Sequence, residues 1–162
     1  MTSTYTPSRE VSVALVAALR GDVGLHGLLF PSWSPSAGFD DERVYSNHVE
    51  LPESPAVREA LPRILLDVIW RPHDYEQEQV GTLHGSVGVY LHVITPKEQE
   101  EYGELLVASA MKLILSTRLS GARIIAAELV PTTDVLKQRI EAFNGAWEWV
   151  APFRSTNVGV LV

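Results

Sequence analysis

Two histidines on one predicted strand are the first residues that could support chemistry. Residues 82–93 alternate between apolar and polar positions, which predicts a strand with one buried face. His84 and His92 fall on its wetter face, but the eight positions between them span about 26 Å at the usual strand rise. The two imidazoles therefore cannot share a metal ion.

The densest group of possible metal ligands lies just before this strand, where His73 and Asp74 are followed by Glu76 and Glu78. The group lacks a second histidine and the i, i+4 spacing that brings two ligands onto one helix face, so it is typical of a solvated acidic loop. The chain has no cysteine, which excludes disulfides, thiolate metal sites and cysteine nucleophiles. We predict no metal site and no cofactor.

Complete catalytic motifs are also missing from the sequence. The segment His84-Gly85-Ser86 resembles one half of a histidine-x-serine phosphoesterase signature, but that chemistry needs a second such element, and Ile94 stands where the hydroxyl residue after His92 should be. There is no Gly-x-Ser-x-Gly elbow, no glycine-rich phosphate loop and no His-Glu-x-x-His. We therefore expect no enzymatic activity. A small hydrolase or ligand-binding domain that uses His84, Ser86 and Tyr90 remains an alternative.

The charge balance argues against tight binding to nucleic acid. The 162-residue chain carries 13 basic and 20 acidic residues, a formal net charge of −7, and its basic residues are scattered singly. Residues 1–6 lack the basic start and apolar core of a signal peptide, and no apolar run approaches the ~20 residues that span a bilayer. We expect a protein made in the cytoplasm, without membrane contact and without tight binding to DNA.

Helices are predicted near the N-terminus and after the alternating strand. Thr6-Pro7 predicts an N-cap and a first helical residue, with the helix ending at Arg20 before Gly21. Residues 22–29 predict a short second helical turn. Thr95, Pro96 and Glu98 predict a capping box that opens the longest helix, which runs from residue 96 to about residue 119.

The remaining regular structure is predicted to be strand. Apolar or alternating runs predict strands at residues 43–46, 62–70, 82–93, 122–130, 146–152 and 157–162, whereas residues 135–143 fit either a strand or a helical turn. We predict a single α+β domain over residues 1–162, with residues 1–5 loose. Its sheet would be mostly antiparallel or mixed, with about four to six strands, and would be packed by the N-terminal helix and one long central helix.

The long helix is apolar over most of its circumference. Beyond Tyr102, only Ser109, Lys112 and Ser116 mark a thin polar side. Such a helix must be covered on more than one side, either by its own fold or by a neighbouring subunit. The residues that we predict to contact a neighbouring subunit from this helix are Leu106, Met111 and Leu115.

Two extended loops and a pair of tryptophans are the other candidate contact sites. Residues 30–42 form a loop rich in Pro, Ser, Gly and Asp, and residues 71–79 form a polar, acidic connection between two strands. Trp147 and Trp149 fall on one face of a predicted strand. The candidates for partner contacts are Trp33 and Phe39 in the first loop, Asp74 and Glu76 in the second, and Trp147 with Trp149.

The order of these segments matters more than any single motif. A leading helix ends in Arg20-Gly21-Asp22 and is followed by an apolar turn, then by Arg43-Val44-Tyr45, the strand that starts at Pro62, and the alternating Gly88–Val93. A long helix and C-terminal strands complete the series. This order resembles the tail-terminator (tail-completion) family of long-tailed bacteriophages and related tail-like particles. The long segments 30–42 and 47–61 depart from the compact family pattern.

The resemblance implies a structural virion protein rather than an enzyme. Family members form a ring, typically six-fold, that caps the tail tube, ends its polymerisation and offers a surface for head–tail joining. The implied partners are further copies of the chain, the tail-tube protein and a head–tail connector or neck protein, with DNA only passing through the channel. Exposed sheet edges would also allow strand pairing between neighbours. A different head–tail connector or neck protein is the main alternative.

Overall fold

The computed structural model describes residues 7–29, 43–49, 61–72, 82–119, 124–125, 128–140 and 145–161. Three helices lie in these ranges: α1 (Pro7–Arg20), α2 (Val23–Leu29) and α3 (Glu100–Ser116). The first helix begins and ends where the sequence predicted. Asp22 caps α2, since its Oδ2 accepts a hydrogen bond of 2.9 Å from the backbone N–H of Leu25.

Seven strands in the described part of the chain form one mixed sheet. They are β1 (Val44–Ser46), β2 (Arg63–Pro72), β3 (Thr82–Thr95), β4 (Ile124–Ile125), β5 (Val130–Pro131), β6 (Leu136–Arg139) and β7 (Trp147–Leu161). The order is β1-β2-β3-β7-β4, with β5 and β6 also paired to β7. Only β1 and β2 are parallel; the other pairs are antiparallel. The predicted α+β class is confirmed, and because β4, β5 and β6 share one edge of β7, the described sheet is five strand positions wide.

The two long antiparallel strands β3 and β7 are the centre of the sheet. Their pairing extends from Thr82 opposite Leu161 to Thr95 opposite Trp147, with one register shift between Gly85 and Val87. The prediction of two separate C-terminal strands was therefore wrong, since β7 continues through Pro152. Residues 136–139, left open by the sequence, form a strand, and the predicted strand 122–130 is described as strand only at Ile124–Ile125 and at its last residue.

The predicted capping box at Thr95 does not form. Thr95 is the last residue of β3 and is fully buried, so its side chain is not placed at a helix start. A turn follows, in which the N–H of Gln99 donates to the carbonyl of Pro96 over 3.0 Å, and Gln99 precedes the first residue of α3 without a side-chain cap. The long helix is consequently shorter than predicted and begins at Glu100.

Helices α1 and α3 pack on one face of the sheet and build the core with it. Even positions of β2 and odd positions of β3 point to this face, as the predicted alternation requires. The buried core includes Val11, Leu15, Leu19, Ile64, Leu66, Val87, Val89, Leu91, Val93, Leu106, Ala110, Ile114 and Phe153. On the other face, side chains such as Ile69 and Tyr90 are exposed.

Trp149 determines how closely α3 approaches the sheet. Its indole is buried and lies against Gly103, where an added Cβ would overlap the ring atoms Cη2 and Cζ3. A glycine inside a helix costs about 0.5–1 kcal/mol relative to alanine, so this position is favourable only because the ring occupies the space. The contact ties the N-terminal half of α3 to the first residues of β7.

We expect Gly103→Ala to lower the free energy of unfolding by about 1–3 kcal/mol, because the new methyl group displaces Trp149 from its packed position. Gly27→Ala is the matched control, since Gly27 is also helical and has nothing within 4 Å of an added Cβ. The control should be neutral or stabilising by up to about 1 kcal/mol. Urea denaturation of both variants checks this, and equal effects would contradict the packing of Trp149 on α3.

Tyr102 reports on the packing of α3 through its ionisation. Burial raises the pKa of its phenol above the usual 10.0, and the Arg43 guanidinium partly offsets that rise. Stability from this group is therefore fully present below pH 10 and is lost as the pH rises through the folded-state pKa. We expect Tyr102→Phe to remove this part of the alkaline loss, which unfolding curves on both sides of pH 10 measure. An unchanged alkaline slope would contradict the burial of the phenol.

Candidate assembly surface

One side of α3 is apolar and exposed. Leu105 and Leu115 keep 57% and 45% of their surface exposed, Ala108 is exposed and Met111 is half-buried. Ala108, Met111 and Leu115 follow i, i+3, i+7 spacing, so they share one helix face, where they line a shallow depression with Lys112 and Ser116. The described fold thus covers the inner side of α3 and leaves Leu105, Ala108 and Leu115 exposed on the outer side, among the exposed Glu101, Glu104, Lys112 and Ser116.

Two predicted contact residues belong instead to the subunit's own core. Leu106 is 0% exposed and Trp149 is 2% exposed. Leu106 lies on the inner stripe of α3 with Gly103, Ala110 and Ile114, which pack against the sheet. The prediction that Leu106 and Trp149 contact a partner was therefore wrong. The candidates Trp33, Phe39, Asp74 and Glu76 lie outside the described residues.

The edge of the sheet formed by β5 and β6 lies beside the exposed side of α3. Met111 lines a second depression together with Pro131 and residues 132–135, and the Lys137 ammonium pairs with the Glu100 carboxylate. We call the combined area the α3–β6 surface. It consists of Ala108, Met111, Leu115, residues 131–135, Lys137, Arg139 and Trp147.

Trp147 lies at the centre of the charged end of this surface. The Lys137 Nζ lies 4.7 Å and the Arg139 Cζ 4.8 Å from the centroid of the Trp147 ring, so two cations stack on one indole. The indole N–H donates to the carbonyl of Lys97 over 3.1 Å, and the ring lies 6.4 Å from that of Trp149. The two tryptophans share a face as predicted, and an anchored aromatic flanked by cations is typical of residues that dominate protein interfaces.

The open face of the sheet carries a charged trio across three strands. The Nε2 of His92 on β3 is 3.2 Å from the Asp67 carboxylate on β2, and its Nδ1 is 3.5 Å from the Glu148 carboxylate on β7. Both ring nitrogens thus face carboxylates of the neighbouring strands. In the residues that the structure describes, no group of three or more His, Asp or Glu side chains is arranged to hold a metal ion.

The residues of the alternative hydrolase hypothesis lie on the same open face. Ser86 and Tyr90 line a shallow depression with Ile69, Arg71 and Gly88, and Tyr90 is exposed. The side chain of His84 lies outside the described residues. A shallow site on a sheet face differs from the concave pocket that this hypothesis requires.

The outer edge of β2 is closed by side chains. Asn47 acts like a residue of a missing strand: its Oδ1 accepts from the Val68 N–H over 3.1 Å, and its Nδ2 donates to the Val68 carbonyl over 3.3 Å. Two residues further along, the Trp70 N–H donates to the hydroxyl of Ser8 over 3.0 Å. Strand pairing between neighbours, as expected from the sequence, is therefore blocked at these positions of the β2 edge.

The comparisons with known proteins identify a related fold. No protein-family model matches the sequence, and no curated protein matches it. Among solved structures, a chain in the "Virion of native gene transfer agent (GTA) particle" has a TM-score of 0.63 and 16% identity, with 96% of this chain and 99% of that chain covered. The two chains therefore share their fold over nearly their whole length. Within the described residues, no helix is both long and apolar enough to cross a membrane.

We expect Asn47→Ala to destabilise the protein by about 1–3 kcal/mol, since it leaves the N–H of Val68 without its partner. The Val68 amide should also exchange with deuterium much faster than in the wild type, which NMR measures at that single site. Gln138→Ala serves as the control, because the Gln138 side chain is exposed and bonds only Glu148 among the described hydrogen bonds. Unchanged exchange at Val68 would show that Asn47 does not close this edge.

Proposed function

We propose that the chain is a structural subunit of a phage-like particle, and specifically a tail terminator that forms a ring on top of a tail tube. The observation that carries the proposal is the full-length similarity in fold to a chain of a gene transfer agent virion. The order of elements along the sequence, which resembles the tail-terminator family, supports the same reading independently of that structure.

The α3–β6 surface supports a role in assembly. It combines an apolar helix stripe, which a lone subunit would leave in water, with an aromatic residue held between two cations. This composition of apolar and aromatic residues with a charged margin is typical of protein interfaces. In a ring, each subunit would use this surface against a different surface of its neighbour, which closes the ring by head-to-tail contacts.

The proposed ring, six-fold as in the family, ends tube polymerisation and presents a surface for the head–tail connector or neck protein. Its location would be the virion tail, after assembly in the host cytoplasm. The net charge of −7 suits a channel through which DNA slides without adhering. We propose no catalytic activity and no cofactor for this role.

Electron microscopy of particles labelled on this chain tests the position. If the chain is a terminator, we expect the label at the junction between tube and head. We also expect tubes of uncontrolled length when the chain is deleted. Label at the junction without any effect on tube length would instead favour another connector or neck protein. Label elsewhere, or none in the particle, would overturn the proposal.

We expect Leu115→Glu to prevent ring formation on tubes while leaving the subunit folded, because it places a carboxylate in the apolar stripe of α3. Val23→Glu is the control: Val23 is 59% exposed at the first position of α2, where a carboxylate suits the helix dipole. Mass photometry and negative-stain images of both variants with tubes give the readout. If the Leu115 variant forms as many rings on tubes as the Val23 variant, this side of α3 does not take part in the contact.

A further inference from the structure

Among the described residues, the edge strand β6 has one side that no other strand occupies. The N–H of Ile140 donates to the carbonyl of Ala146 over 2.9 Å, which sets the alternation of the ladder between β6 and β7. The N–H and C=O groups of Lys137 and Arg139 therefore point away from β7. Among the described strands, β6 pairs with β7 alone. This edge contrasts with that of β2, where Asn47 and Ser8 occupy the backbone groups.

The side chains on this free edge select the charge of a partner strand. Lys137 and Arg139 stand two positions apart, so both side chains project to the same face of the sheet. Positive charges on an edge strand disfavour non-specific pairing with other sheets. The same charges favour a strand that places carboxylates opposite them. The partner that fits is an extended segment with acidic residues at every second position.

Only one segment of this chain continues that pattern over three carboxylates. In the connection between β2 and β3, the sequence reads Asp-Tyr-Glu-Gln-Glu from Asp74 to Glu78, with carboxylates at 74, 76 and 78. In an extended conformation these three side chains would lie on one face, at the spacing of Lys137 and Arg139.

A subunit cannot place this segment on its own β6. The segment is joined to Pro72 and Thr82, and none of its residues is more than five positions from one of these ends, which is about 18 Å of extended chain. In the sheet, Lys137 pairs with Trp149, which in turn pairs with Val93 of β3. Pro72 pairs with Gly85 of β3. The eight positions between them along β3 already span about 26 Å, and β6 lies three strands to the side of β2.

We propose that residues 74–78 of one subunit pair with β6 of a second copy as an added strand. Pro72 and Thr82, which anchor the donor segment, lie at the opposite end of the sheet from β6. This separation suits a head-to-tail contact that repeats around a ring. The inference rests on the proposed ring and identifies the contact that closes it, next to the apolar stripe of α3.

Cysteine cross-linking tests the pairing directly, because the chain has no cysteine of its own. Protein carrying Glu76→Cys is mixed with differently tagged Lys137→Cys or Arg139→Cys protein, assembled on tail tubes and oxidised. We expect disulfide-linked heterodimers with at least one of the two, and none when the second protein carries Val23→Cys. Assembled rings without cross-links above this control would overturn the inference. A disulfide within one chain that carries both Glu76→Cys and Lys137→Cys would also overturn it.

A charge exchange gives an independent readout. Lys137→Glu with Arg139→Glu, or Glu76→Lys with Glu78→Lys, should each raise the dissociation constant between subunits at least about tenfold, which corresponds to about 1.4 kcal/mol. Mixing the two variants should restore assembly of alternating subunits. Because Lys137 also pairs with Glu100, thermal melts verify folding, and the acidic-segment variant tests the contact if the other is unfolded.

The two proposals fail in different ways. Rings on tubes that neither cross-link nor respond to the charge exchange would overturn the strand addition and leave the terminator role intact. Cross-linked head-to-tail oligomers that never bind tubes would support the strand addition and overturn the terminator role.

Discussion

The contact between Trp149 and Gly103 is the constraint on which the rest of the subunit depends. It brings α3 close to the N-terminal end of β7. The inner side of the helix is then buried against the sheet, whereas Leu105 and Leu115 on the outer side stay exposed. The same indole lies 5.9 Å from the Lys137 ammonium, which also contacts Trp147 and Glu100. One packing contact therefore fixes the position of α3 and also places an indole beside the cations of β6.

The two edges of the sheet are treated differently. On β2, the side chains of Asn47 and Ser8 satisfy the backbone groups that a further strand would use. On the other side, β5 and β6 form an interrupted edge whose break lies opposite Pro152, which has no N–H to donate. Beyond β1, the β2 side is thus closed at Val68 and Trp70, whereas β6 leaves backbone groups open, so the two sides of the sheet differ in their ability to accept a strand. That asymmetry suits directional, head-to-tail association better than symmetric pairing of equal edges.

The architecture could be predicted from the sequence, whereas the assignment of surfaces could not. Period-two alternation identified β3, and the apolar stripe identified α1, because each pattern shows which residues face the core. The sequence of the long helix is apolar almost all round, so it does not show which side faces the sheet. Leu106 was therefore predicted to contact a partner. Gly103 was the missed signal, since a helical glycine opposite a tryptophan marks the side of close approach. The predicted helix N-cap at Thr95 and the predicted strand end at Pro152 were wrong for a related reason. The pairing of β3 with β7 overrides the local preference of threonine for helix caps and of proline for strand ends.

An acidic chain that assembles with itself must overcome repulsion between its copies. At physiological salt, charges more than about 8 Å apart are largely screened, so the net charge of −7 matters less at an interface than the few charges in direct contact. In the proposed ring, Lys137 and Arg139 would meet carboxylates of the neighbour, while the remaining acidic surface stays in solvent. Local attraction and overall negative charge are then compatible. In the proposed ring, the same distribution would let subunits bind one another tightly without holding DNA in the channel.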